Sequence, residues 1–194
     1  QQNRLATKGF VGEYALDLSN SDLSFFAGQT SEKDGFLDTA IRGAFADNPS
    51  AETTYFGALA NGQISKNWDY SVALSFGDTD FTQGSIGLLK DINNVKSSAF
   101  SFDFKNKPGI FDNDGFRVGF SQPFRVESGE ATISVPGLYD EGGTLKYENM
   151  KVPLSPSGRQ LNVNFGYVVD LKPEAQIGSD IEIMMNHGHI SSNQ

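Results

Sequence analysis

The chain has 194 residues and no cysteine, with 15 Lys plus Arg against 24 Asp plus Glu for a formal charge of -9. That length can bury a core without staples, the absence of cysteine removes thiolate nucleophiles and thiolate metal ligands, and the acidic balance repels phosphate backbones, which excludes nucleic acid as a partner. No run approaches the ~18 apolar residues of a membrane helix, although strands of about ten residues crossing as a barrel would leave only a weak hydropathy signal.

Gln1-Gln2-Asn3-Arg4 carries no apolar segment behind it and is no signal peptide, so we expect 1–194 to be one β-rich domain from a fragment or processed part of a longer precursor. Phe10 to Leu18 alternates Phe10, Gly12, Tyr14, Leu16 and Leu18 against Glu13 and Asp17, which predicts a first strand, and Asp22 to Gly28 a second. Gly35 to Ala46 fits helical spacing through Phe36, Leu37, Ala40, Ile41 and Ala44 as well as a short strand, so a small helix is an expectation there. Thr53 to Ala60 and Tyr70 to Phe76 flank Asn61-Gly62, which predicts a hairpin turn with a longer link through Lys66-Asn67-Trp68. Gly77 to Gly84 reads as a polar loop, Ser85 to Leu89 as an apolar run, and Ser98 to Lys105 as a strand with Phe100, Phe102 and Phe104 on one face.

Gly115 to Leu171 holds the cleanest alternation. Phe116, Val118 and Phe120 alternate with Arg117, Gly119 and Ser121; Ala131, Ile133 and Val135 alternate with Thr132 and Ser134; Leu161, Val163, Phe165, Tyr167 and Val169 do the same further on. Glu127-Ser128-Gly129-Glu130, Asp140-Glu141-Gly142-Gly143 and Ser155-Pro156-Ser157-Gly158 carry the residues of tight reversals. Ala175 to Met185 is a last strand with Ile177, Ile181, Ile183 and Met185 on one face. The fold expected is all-β: a single antiparallel domain of about ten strands, barrel-like, with a β-sandwich or jelly roll as the alternative.

Three segments carry a resemblance: Gln122-Pro123-Phe124-Arg125-Val126-Glu127-Ser128-Gly129, Ala131 to Pro136, and Leu154-Ser155-Pro156-Ser157-Gly158-Arg159-Gln160-Leu161. They resemble the C-terminal β-rich, autotransporter-like region of Gram-negative bacterial subtilisin-like serine peptidases. Asn186-His187-Gly188-His189 is similar to that region's closing Asn-Pro-Gly-His, with His187 in place of the Pro. The resemblance covers about the last 80 residues. It implies a non-catalytic barrel-like region serving anchoring or translocation, located in the outer membrane or outside a Gram-negative cell, with the outer membrane or its own protease domain as partner.

The protease motifs themselves are absent: no Gly-Thr-Ser, no His-Gly-Thr-His and no Gly-x-Ser-x-Gly occurs, so no catalytic residue is assigned and the chain is not expected to be an enzyme. Asp112-Asn113-Asp114-Gly115 and Asp78-Thr79-Asp80 set oxygen donors at alternate loop positions, a fragment of a calcium pattern that Asx turns explain as well. Asp112 and Asp114 are therefore the metal candidates, with calcium the sole cofactor considered. His187 and His189 share a strand face and could bind metal, but a flexible terminal segment is the simpler reading. Arg125 and Arg159 are expected to be structural, pairing with Glu127, Glu148 or Asp103, and Trp68 and Tyr70 to be a membrane girdle or core. The competing functional reading is a soluble, secreted β-sandwich acting as a structural, adhesive or self-assembling module through its edges.

Overall fold

Period-two alternation becomes strand almost throughout: β1 (Ala6–Leu18), β2 (Ser21–Lys33), β3 (Gly35–Phe36), β4 (Thr39–Ala40), β5 (Ser50–Ser65), β6 (Trp68–Thr82), β7 (Leu89–Asn106), β8 (Asp114–Tyr139), β9 (Leu145–Pro153), β10 (Leu161–Lys172) and β11 (Ala175–Met185), followed by a 3-10 turn at His187–His189. This computed structural model describes residues 6–37, 39–41, 44, 48–83, 87–108, 110–111, 113–172 and 175–191. The main sheet is antiparallel, in the order β1-β2-β5-β6-β7-β8-β10-β11, with β9 paired to β8 off that path. Each strand of the path thus neighbours the next one along the chain, as hairpin connections dictate.

Connections at the two ends differ. Ser19-Asn20 joins β1 to β2 and Lys66-Asn67 joins β5 to β6, whereas the other end carries β3 and β4, the end of β6 and the start of β7, and the β9 excursion. The buried core gathers at that second end: Leu89, Ile92, Val95 and Ala131, packed by Phe36, Leu37, Ile41, Phe81, Val126, Ile133 and Leu154. Phe36 meets Phe81 edge to face at 5.7 Å, so the β3–β4 excursion serves as a small cap over the sheet. Elsewhere the substantial contacts between elements are those of sheet neighbours.

The all-β, antiparallel architecture matches the expected class, but the main sheet is not closed into a barrel. β1 and β11 stand at opposite edges of the path, leaving an open sheet as in the sandwich alternative. The helix expected within Gly35 to Ala46 is not formed where the segment is described; Gly35 and Phe36 pair with Ala40 and Thr39 instead. Asn61-Gly62 is no turn. It lies inside β5, because Tyr70 on β6 reaches across Gly62 to donate to Ser21 Oγ on β2 at 2.9 Å, and a Cβ on Gly62 would stand 2.5 Å from that same oxygen. The expected loop at Gly77 to Gly84 is strand as far as Thr82, and the reversal expected at Glu127 to Glu130 is absent. There β8 runs straight on, its mismatch with β7 absorbed by register shifts between Ser98/Phe100 and Leu89/Asp91.

Candidate functional site

Register places one kind of side chain on each face of the sheet. Leu18, Ser21, Gly62, Tyr70, Phe104, Val118, Phe165 and Ile181 form a continuous row of Cα partners, and Leu16, Leu23, Ala60, Val72, Phe102, Phe120, Val163 and Ile183 form another on the same face. The row between them points to the opposite face: Asp17, Asp22, Asn61, Ser71, Asp103, Gly119, Asn164 and Glu182. Successive residues of a strand point to opposite sides, so eight strands in this register build one apolar and one polar surface.

The apolar face is open to the surroundings. Phe10 is 68%, Tyr14 64%, Phe56 58% and Ile181 62% exposed, so no second layer formed by the described residues of this chain covers these side chains. From Leu18 to Phe10 the band spans eight residue steps, roughly 26 Å along the strand. Aromatic side chains mark both margins. Trp68 and Phe116 meet edge to face at 5.3 Å near the tight turns, and Phe56 stacks on Phe76 at 5.5 Å near the other margin. Beyond Phe56 and Phe76 the same face turns polar, with Thr54 and Glu52 on β5 and Asp78 and Asp80 on β6.

The polar face is built small. A Cβ on Gly57 would come within 2.3 Å of Phe26 Cζ, and one on Gly28 within 2.6 Å of the Tyr55 hydroxyl, so these two rings lie over glycines of the neighbouring strand. Near the tight turns this face holds a cavity of about 340 Å³ lined by Asp69, Lys105, Arg117, Gly166 and Asp180 among others. Arg117 Nη2 donates to Asp180 Oδ1 at 3.4 Å across Gly166, and Lys107 pairs with Asp170 at 2.8 Å.

Two of the segments quoted for the resemblance, Gln122 to Gly129 and Leu154 to Leu161, meet in space beyond the apolar band. Arg125 donates through Nε to the Gly158 carbonyl and through Nη2 to the Pro156 carbonyl, both at 3.0 Å, and through Nη1 to Glu127 Oε2 at 2.5 Å. Arg159 donates to both oxygens of Glu127, at 2.9 and 2.7 Å, and to Gln122 Oε1. Ser98 Oγ donates to Glu127 Oε1 at 2.6 Å. Burial alone would raise the Glu127 pKa, but the hydrogen bonds from Arg159 and Ser98 and the charges of Arg125 and Arg159 outweigh it and bring the value down to about 2. The carboxylate is thus the hub of a charge-assisted clasp joining β8 to the β9–β10 link.

The C-terminal turn completes this clasp. His189 Nδ1 accepts from the Gln160 amide at 2.9 Å and Nε2 lies 2.9 Å from the Phe124 carbonyl, which can only accept, so the proton sits on Nε2. Gly188 N donates to Gln160 Oε1, and Gly158 N to the His189 carbonyl, both at 2.7 Å. His189 is buried, which corrects the flexible segment expected there.

Of the other candidate residues, Asp112 lies outside the described residues. Asp114 is 1% exposed, and its carboxylate accepts from the Ile110 and Phe111 amides at 3.1 and 3.0 Å and from the Tyr167 hydroxyl at 2.5 Å. That arrangement ties the β7–β8 link to β10 by turn capping. Among the described residues no group of three or more His, Asp or Glu side chains is placed to hold a metal ion. Glu148 sits on β9 opposite Val135 and Asp103 on the polar face, neither beside Arg125 or Arg159. Sequence reasoning missed Gln122, Ser98 and Gln160, although the two glutamines stand inside the quoted segments and a polar residue next to a strand start was a usable signal. No family model, curated protein or solved structure matches the chain.

Proposed function

We propose that the chain is a non-catalytic, membrane-embedded β-wall that anchors a secreted or outer-membrane polypeptide of the subtilisin-like peptidase kind. The observation that carries this reading is the uncovered apolar face, continuous across all eight strands of the path and bounded by aromatic margins. Its extent of nine residues along β1, Phe10 to Leu18, suits the roughly 9–11 residues with which a tilted strand crosses an outer-membrane hydrocarbon layer. A protein living in water would leave this face exposed to solvent at a large hydrophobic cost. The polar face then faces inward, with its charge pairs and glycines away from lipid. Anchoring to the peptidase region rests on the resemblance, and the meeting of Gln122 to Gly129 with Leu154 to Leu161 at the Glu127 clasp supports treating those two segments as one unit.

The test is flotation of the refolded chain with phospholipid vesicles, read together with quenching of Trp68 fluorescence by brominated lipid. Co-flotation with strong quenching is expected. A discrete species in the aqueous phase without detergent would overturn the membrane reading. The unpaired edges of β1 and β11 favour a second reading, a secreted module assembling edge to edge; a detergent-independent polymer would select it.

A further inference from the structure

We propose that β1 and β11 are each other's partner in the bilayer, zipping the sheet shut along one seam with Phe10 opposite Ile181 and Tyr14 opposite Ile177. This rests on the membrane reading, because it is hydrocarbon that cannot satisfy the free N–H and C=O groups of an open edge. β1 and β11 are the two ends of an eight-strand antiparallel path, so they run in opposite directions and can pair without any crossover.

The register already carries the stagger that closure needs. A row of Cα partners that starts at Leu18, the last residue of β1, arrives at Ile181, with six residues of β11 lying beyond it on the same side. Successive strands are therefore displaced by about one residue each along the strand direction, and a closed sheet must return to its first strand displaced by the accumulated amount. One further step of the same size carries Ile181 to Phe10. In that register every residue of β11, from Ala175 to Met185, faces a residue of β1, from Leu16 to Ala6.

Side-chain chemistry selects the same register. Apolar meets apolar on the outer face at Phe10 with Ile181 and Tyr14 with Ile177, while on the inner face Asp180 meets Val11 and Glu13 meets Gly178. Lys8 faces Ile183 in this register, and a slip of two residues one way moves it one pair deeper into the band, against Ile181. The same slip the other way sets Asp180 against Glu13, like charges directly opposed. Odd slips exchange the two faces and are excluded by the pleat. A second copy could occupy each edge, but the stagger gives no reason for it, since an open stack of copies needs no accumulated displacement.

The chain lacks cysteine, so paired cysteines report the seam cleanly. Phe10→Cys with Ile181→Cys, and independently Tyr14→Cys with Ile177→Cys, are to be oxidised in vesicles after flotation, beside the slipped pair Phe10→Cys with Ile183→Cys. Intramolecular disulfide in most molecules of the matched pairs, at least about tenfold above the slipped pair, is expected for directly opposed strand positions. Two independent matched pairs guard against one that disturbs folding. Chains that float but cross-link only between molecules, only in the slipped pair or not at all overturn the seam and leave the membrane reading intact. Chains that do not float overturn both.

Discussion

At Glu127 one carboxylate receives two arginines and a serine, and its pKa of about 2 makes the clasp dependent on pH. The folded value lies below the ordinary carboxylate value, so the stabilisation is complete above about pH 4.5 and is lost as the pH falls toward 2. Denaturant midpoints of wild type and Glu127→Gln, compared across that window, should differ by about 1–3 kcal/mol at neutral pH and converge at the acid end. His189→Ala removes the acceptor of the Gln160 amide and the donor to the Phe124 carbonyl, with an expected cost of about 1–3 kcal/mol. Limited proteolysis should then cut 186–191 faster, whereas an unchanged cleavage rate would show that the turn is held by other contacts. Glu127 was one of the three partners the sequence offered for Arg125 and Arg159, and it is the one both arginines meet. Their convergence was not legible, because Glu127 and Arg159 are brought together only when β9 folds back on β8.

Most strands were legible at the scale of elements, but β9 was not predicted, β8 was read as two strands, and strand extent was not legible. Turn-forming residues at Asn61-Gly62 and at Ser128-Gly129 sit within strands because neighbouring strands use the space a glycine leaves. Tyr70 crosses Gly62, and a Cβ on Gly129 would lie 3.1 Å from Val95 Cγ2 and 3.3 Å from Leu154 Cβ. The same logic yields a prediction on β5. Gly57→Ala places its Cβ 2.3 Å from both the Leu74 carbonyl and the Phe26 ring, so strand β5 must shift, and a loss of about 1–3 kcal/mol is expected. Gly12→Ala meets only the Ala27 carbonyl at 3.9 Å and should leave the midpoint within about 0.5 kcal/mol of wild type. Equal effects in the two variants, by equilibrium unfolding, would show that the ring-over-glycine packing does not constrain the sheet.

For the whole molecule, the decisive property is the separation of surfaces. Leu74 lies on the apolar face, between Ala58 and Phe100, and Ser71 lies on the polar face beside Asp103. On the proposed membrane reading, Leu74→Arg would put a cation against lipid near the middle of the band, where the cost is about 2–4 kcal/mol, and should strongly reduce vesicle association in a flotation assay. Ser71→Arg places the same charge next to an acid and should float like wild type. Equal flotation of both variants would mean that the apolar face is not the surface that meets lipid.

Alternation alone pointed to antiparallel β, and among the described residues no helix is long and apolar enough to cross a membrane. Both follow from local properties: the two-residue period of the pleat and apolar run length. Which residues share a face across eight strands, where the turns fall, and that the path ends in two open edges were decided only by tertiary pairing. A strand's own sequence fixes which residues alternate, but a two-residue slip between neighbours preserves that alternation while changing every cross-strand partner. The register that aligns Leu18 with Ile181, and the clasp that closes on Glu127, are therefore properties of the assembled sheet.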